Sequence, residues 1–122
     1  MRVFKNTWFS RFAKKAGIDD GTLRGIVDEL EAGKWDADLG SGVYKKRIAK
    51  QDEGKRGGYR IIVFFKNGTR TFFSYGFAKS VQGNISEKEV RVLRETSKEI
   101  LNVSDAVLKS RIDTGNWIEI TD

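Results

Sequence analysis

Apolar residues recur along this chain first at helical spacing and then in alternation. Residues 7–17 carry Trp8, Phe9, Phe12 and Ala16 between a capping Asn6 or Thr7 and a terminating Gly17, which predicts a helix. Asp19 or Asp20 opens a second helix with Leu23, Ile26, Val27 and Leu30 on one face, and Gly33 follows it. Residues 2–5, with Val3 and Phe4, read as a short strand before both. Residues 33–42, GKWDADLGSG, read as a loop pinned by Trp35 and Leu39. Alternation then takes over at residues 43–49, 59–66 and 70–75, and Asn67-Gly68 between the last two is a hairpin signal. The dense run Ile61-Ile62-Val63-Phe64-Phe65 marks the central strand, with helices expected over one of its faces.

Towards the end, Ser86 and Glu89 form a capping box ahead of Val90, Leu93, Ser97 and Ile100. Ser104 can cap a further short helix through Lys109, and the final GNWIEI can add an edge strand or fold onto the body. These elements predict an α+β fold in one domain spanning 1–122. Two N-terminal helices pack on a small antiparallel sheet, and a C-terminal helix follows.

Composition removes several chemistries. The 122 residues include no cysteine, which excludes disulfides and thiolate nucleophiles, and no histidine, which excludes imidazole bases and histidine-ligated zinc. No metal site and no cofactor is expected. The start lacks a signal-peptide pattern, and no run approaches the roughly 18 apolar residues of a membrane span, so a soluble, cytoplasmic protein without membrane contact is expected.

Charge is distributed unevenly. Residues 42–82 hold ten basic side chains against two acidic ones, Asp52 and Glu53, whereas the segments on either side are balanced or slightly acidic. A basic strand region on a balanced background favours a polyanionic partner, nucleic acid above all, with simple solubility as the plainer reading. Residues 50–60, KQDEGKRGGYR, form a charged loop whose Gly57-Gly58 either admits a phosphate close to the backbone or makes a tight turn. The G-x-x-x-x-G-K-[ST] order of a nucleotide-binding loop is missing.

Alternation sorts the candidates. Lys45 and Arg47 share one face of their strand, and Arg60 shares a face with Ile62 and Phe64, while Tyr59, Ile61, Val63 and Phe65 take the other. Lys45, Arg47 and Arg60 can therefore meet, with Lys79 after the next strand completing the group. Such a cluster suits RNA cleavage without metal, because RNA supplies its own 2′-hydroxyl nucleophile. The protein then orients the attack, stabilises charge on the phosphorane and assists proton transfer. Arginine serves the charge, lysine can also move a proton, and Tyr44, Tyr59 or Tyr75 can stack on a base. Asp36 and Asp38 read as turn residues or, at most, as antitoxin-like contacts.

At these residues the chain resembles a known family. Tyr44-Lys45-Lys46-Arg47, Gly58-Tyr59-Arg60 and Phe77-Ala78-Lys79, with the segments around them, are similar to the RelE-like toxins of bacterial type II toxin–antitoxin systems. Within them the nearest branch is the phage-derived Gp49-like group, close to the HigB toxins. The resemblance covers about residues 1–103, with 104–122 as a C-terminal extension. It implies a RelE-like fold and an endoribonuclease, or mRNA interferase, that cuts mRNA on the ribosome, leaves 2′,3′-cyclic phosphate and 5′-hydroxyl ends, and so inhibits translation. It implies a cognate antitoxin as partner, with operator DNA met only through the antitoxin complex. Carried over residue by residue, the catalytic set is Lys45, Arg47, Arg60 and Lys79. Contacts to mRNA or rRNA fall to Lys46, Lys50, Lys55, Arg56, Tyr59 and Tyr75. The chain departs from the prototype in having no tyrosine after Tyr75, and from the HigB toxins in having no histidine. A gyrase-directed, ParE-like toxin and a non-catalytic nucleic-acid- or antitoxin-binding protein are the alternatives.

Overall fold

The computed structural model describes residues 1–50 and 58–121. Strand β1 (Arg2–Asn6) runs directly into helix α1 (Thr7–Ala16), and α2 (Asp20–Glu31) follows. The Asn6 side chain accepts the Phe9 amide at 2.6 Å and that of Asp19 accepts the Thr22 amide at 2.8 Å, so each helix starts on its own cap. Gly17 ends α1 at φ 73°, a conformation that favours glycine. Strands β2 (Ala37–Gly40), β3 (Val43–Lys50), β4 (Gly58–Lys66) and β5 (Arg70–Ala78) come next, then α3 (Glu87–Ile100), α4 (Asp105–Asp113) and β6 (Trp117–Glu119). The capping box at Ser86 and Glu89 and the cap at Ser104 are both made.

The described strands form one sheet in the order β2-β3-β4-β5-β1-β6. Neighbours are antiparallel except β1 and β5, which run parallel with Phe4 beside Phe72. The expectation of an antiparallel sheet is corrected at this one pairing. Antiparallel neighbours can be joined by a tight turn, but β1 and β5 are far apart in sequence and meet only through tertiary packing. Residues 37–40, expected in a loop, pair as β2 with β3 and show an irregular register between Asp38 and Gly40.

Helices cover both faces of the sheet, not one. Phe9 and Ala13 of α1 and Leu23, Ile26, Val27 and Leu30 of α2 pack on Ile61, Val63, Phe65 and Phe73. Ile100 of α3 and Leu108 of α4 pack with Ile62, Phe64, Phe72, Phe4 and Trp117 on the other side. Two-sided cover explains the unbroken apolar run in β4, whose residues 61–65 are all buried. The short helix expected after Ser104 is α4, which runs past Lys109 to Asp113. Among the described residues no helix is long and apolar enough to cross a membrane.

Candidate nucleic-acid interface

The pairing of β3, β4 and β5 builds the candidate site row by row. Arg47 lies directly across from Arg60, which lies across from Phe77, and Lys45 lies across from Ile62, which lies across from Tyr75. Lys45, Arg47, Arg60, Tyr75 and Phe77 therefore share the face that α3 and α4 cover further along, at Ile62 and Phe64. Directly opposed antiparallel residues hold their Cβ atoms about 5 Å apart, and like charges there destabilise a sheet unless something offsets them.

Asp36 offsets part of that repulsion. One carboxylate oxygen accepts from Arg47 Nε at 3.0 Å and the other from the Arg47 backbone amide at 2.6 Å. The Asp36 amide in turn donates to the Lys45 carbonyl at 3.0 Å. Burial pushes this carboxyl group up. The two hydrogen bonds from Arg47 and the charges of Arg47 and Lys46 outweigh it, so its pKa falls below the usual carboxylate value.

Arg60 is only 7% exposed, and its guanidinium donates to the Tyr59 carbonyl at 3.3 Å. Lys45 is half-buried, and its ammonium forms no ion pair among the described residues. Lys79 begins the segment after β5. Its amide donates to the Gly58 carbonyl at 3.0 Å, and its exposed ammonium to the Gly83 carbonyl at 2.7 Å.

The other sequence candidates divide between the two faces. Tyr75 stays with the cluster: its hydroxyl donates to Gln82 Oε1 at 3.1 Å and its ring stacks on Trp8 at 4.8 Å. Lys46 lies on the opposite face, 6% exposed, with its ammonium bound to Glu29 at 2.9 Å and to the Lys34 carbonyl at 2.8 Å. In this position it ties α2 and Lys34 to the sheet. Tyr59 is on that face too, edge-on to Phe12 at 5.7 Å. So is Tyr44, packed against Trp35 at 4.7 Å, with burial followed by the Asp38 charge raising its hydroxyl pKa. Lys50 is the last residue of β3, and Lys55 and Arg56 lie outside the described residues. Sequence reasoning passed over Asp36, Gln82 and Trp8 as site neighbours. Asp36 and Gln82 sit in segments without a local pattern, and Trp8 reads as one more apolar helix residue.

A cationic row framed by aromatic rings, with Asp36 bound to Arg47, can hold phosphate and an adjacent base. Among the described residues no group of three or more histidine, cysteine or acidic side chains is arranged to bind a metal. The model of a family described as the RelE toxin of the RelE/RelB toxin–antitoxin system matches residues 1–120. The chain belongs to the RelE toxin family. A comparison with curated proteins found no match. The RelE match extends beyond residue 103 through α4 and β6, in keeping with β6 completing the sheet beside β1. Membership gives this chain a toxin role in a family whose toxins are paired with antitoxins.

Proposed function

We propose that this RelE-family toxin is a ribosome-dependent mRNA endonuclease that works without a metal. The observation that carries the reading is Arg47 directly opposite Arg60, with Lys45 two residues along on the same face. Because the two arginines face each other across the strands on one face, a phosphodiester lying over them can accept from both guanidinium groups. In the proposed reaction the 2′-hydroxyl attacks the adjacent phosphorus in line. Its proton passes to solvent water, the bond to the 5′-oxygen breaks, and a lysine ammonium protonates that oxygen so that it leaves as a 5′-hydroxyl. The products are a 2′,3′-cyclic phosphate and a new 5′ end. Arg60 and Arg47 carry the charge that grows on the non-bridging oxygens, and arginine stays protonated throughout. On this face Lys45, Lys79 and Tyr75 can exchange a proton, and the Tyr75 hydroxyl is engaged with Gln82. Lys79 is engaged with the Gly83 carbonyl, which leaves Lys45 as the proton-transfer group and gives Lys79 the phosphate. A cognate antitoxin neutralises the toxin in this reading, and the basic excess over residues 42–82 suits an acidic partner segment. The chain's affinities to the Gp49-like and HigB groups belong to the same proposal.

Primer extension on an mRNA in a purified translation system tests it, with wild type and Arg60→Ala side by side and folding checked by circular dichroism. New 5′ ends within the reading frame are expected only with ribosomes and only for wild type. Full-length message in every lane would remove the nuclease reading and turn attention to a gyrase-type target.

A further inference from the structure

The basic row does not end at the strands, because an aromatic run continues from it. Phe77 lies opposite Arg60, Tyr75 lies one row along, and the Trp8 ring stacks on Tyr75 at 4.8 Å with the planes 27° apart. Trp8 reaches this position because β1 ends at Asn6 and α1 begins at once, beside the stretch of β5 past Phe73 where β1 pairing stops. The Asn6 side-chain amide holds that corner by donating to the Ser74 carbonyl at 2.9 Å. Trp8 is 47% exposed although its ring stacks on Tyr75 and, at 5.7 Å with the planes 9° apart, also on Phe12. The core contacts of α1 are made by Phe9 and Ala13, at 0% and 3% exposure, so Trp8 is not needed to seat the helix.

A half-exposed indole at the end of an aromatic run that leads away from a cationic row is the combination that single-stranded nucleic acid uses, with phosphates on the charges and bases on the rings. The span from β3 to β5 is two strand spacings, roughly 10 Å, a reach of a few nucleotides. We infer that Trp8 is a stacking platform for a base of single-stranded RNA whose phosphate is held by Lys45, Arg47 and Arg60. This rests on the nuclease reading for the identity of the ligand and adds the residue that grips the base beside the cut. Stacking tolerates any base, so Trp8 contributes affinity and position more than sequence preference.

The test compares wild type, Trp8→Ala and Trp8→Phe on programmed ribosomes at limiting toxin, using mRNA with either a normal or an abasic nucleotide at each codon position. Trp8→Ala is expected to cut the normal message roughly five- to 150-fold more slowly, the range that base–aromatic stacking supplies. Trp8→Phe, which keeps a ring, recovers most of that loss. One abasic position slows wild type by a similar factor and leaves Trp8→Ala unchanged, a coincidence that a merely structural role for Trp8 would not produce. Wild-type speed in Trp8→Ala, or equal abasic sensitivity in both proteins, overturns the inference and leaves the nuclease reading intact. If wild type cuts nothing, the nuclease reading falls, and the platform is judged by tryptophan fluorescence with a free oligoribonucleotide. Quenching that disappears in Trp8→Phe, where Trp35 and Trp117 remain, upholds stacking, and quenching that persists or never occurs overturns it.

Discussion

Replacing Lys46 separates a structural lysine from a ligand-binding one within the Lys45-Lys46-Arg47 run. Its side chain is 7% exposed and its ammonium makes two hydrogen bonds, one to Glu29 and one to the Lys34 carbonyl. Lys46→Met keeps most of the buried stem and removes both bonds. The Glu29 side chain is 42% exposed, so water takes over there and that ion pair is worth only about 0.5–1 kcal/mol. Losing the bond to the Lys34 carbonyl costs about 1–1.5 kcal/mol. The expected loss is therefore about 2 kcal/mol, and Lys46→Ala adds roughly another 2 kcal/mol for its missing methylenes. With a urea slope of about 1–3 kcal/mol/M for a domain of this size, Lys46→Met lowers the midpoint by roughly 1 M. Cleavage per folded molecule should stay at the wild-type level in the primer-extension assay. An unchanged midpoint together with lost cleavage would refute the structural role and return Lys46 to the RNA-binding set.

Three further outcomes follow from the packing. A Cβ at Gly76 would come under 3.0 Å from carbons of the Phe12 ring, so Gly76→Ala should lose about 1–3 kcal/mol in urea unfolding. The double variant with Phe12→Leu should regain part of that loss, and no regain would argue against the contact. Asn6→Ala removes both the cap of α1 and the tether to Ser74, for about 2 kcal/mol, whereas Asn6→Asp keeps the cap and should recover about half, again read by urea midpoint. Asp36 has a lowered folded pKa, so its stabilisation is complete above the ordinary carboxylate range and is lost as pH falls through the folded value. The melting temperature of Asp36→Asn should therefore fall less steeply than that of wild type between about pH 6 and pH 3, and parallel curves would show that the Arg47 pair contributes nothing.

Much of the fold was legible because its signals are local. Asn6, Asp19, Ser86 and Ser104 cap helices through amides three residues away, and Gly17 stops α1 by its own backbone conformation. Alternation sorted Arg60 from Tyr59 and put Lys45 with Arg47, because side chains on a strand change face at every residue. These features hold whatever the rest of the chain does, and they were sufficient to bring the basic row together on paper.

Tertiary structure decided the rest. No local pattern marks a parallel partner some seventy residues away, so the pairing of β1 with β5 appeared only in the assembled sheet. That pairing in turn delivers Trp8 to Tyr75 at the point where β1 ends. Lys46 looked like its basic neighbours until α2 supplied Glu29 and Lys34, just past the turn after α2, supplied a carbonyl. Asp36 looked like a turn residue until β2 and β3 brought it onto Arg47. Sequence determined by itself which side chains share a face and where the helices begin. Which of those side chains find a partner depends on contacts between distant segments, and these exist only once the chain has closed its two cores.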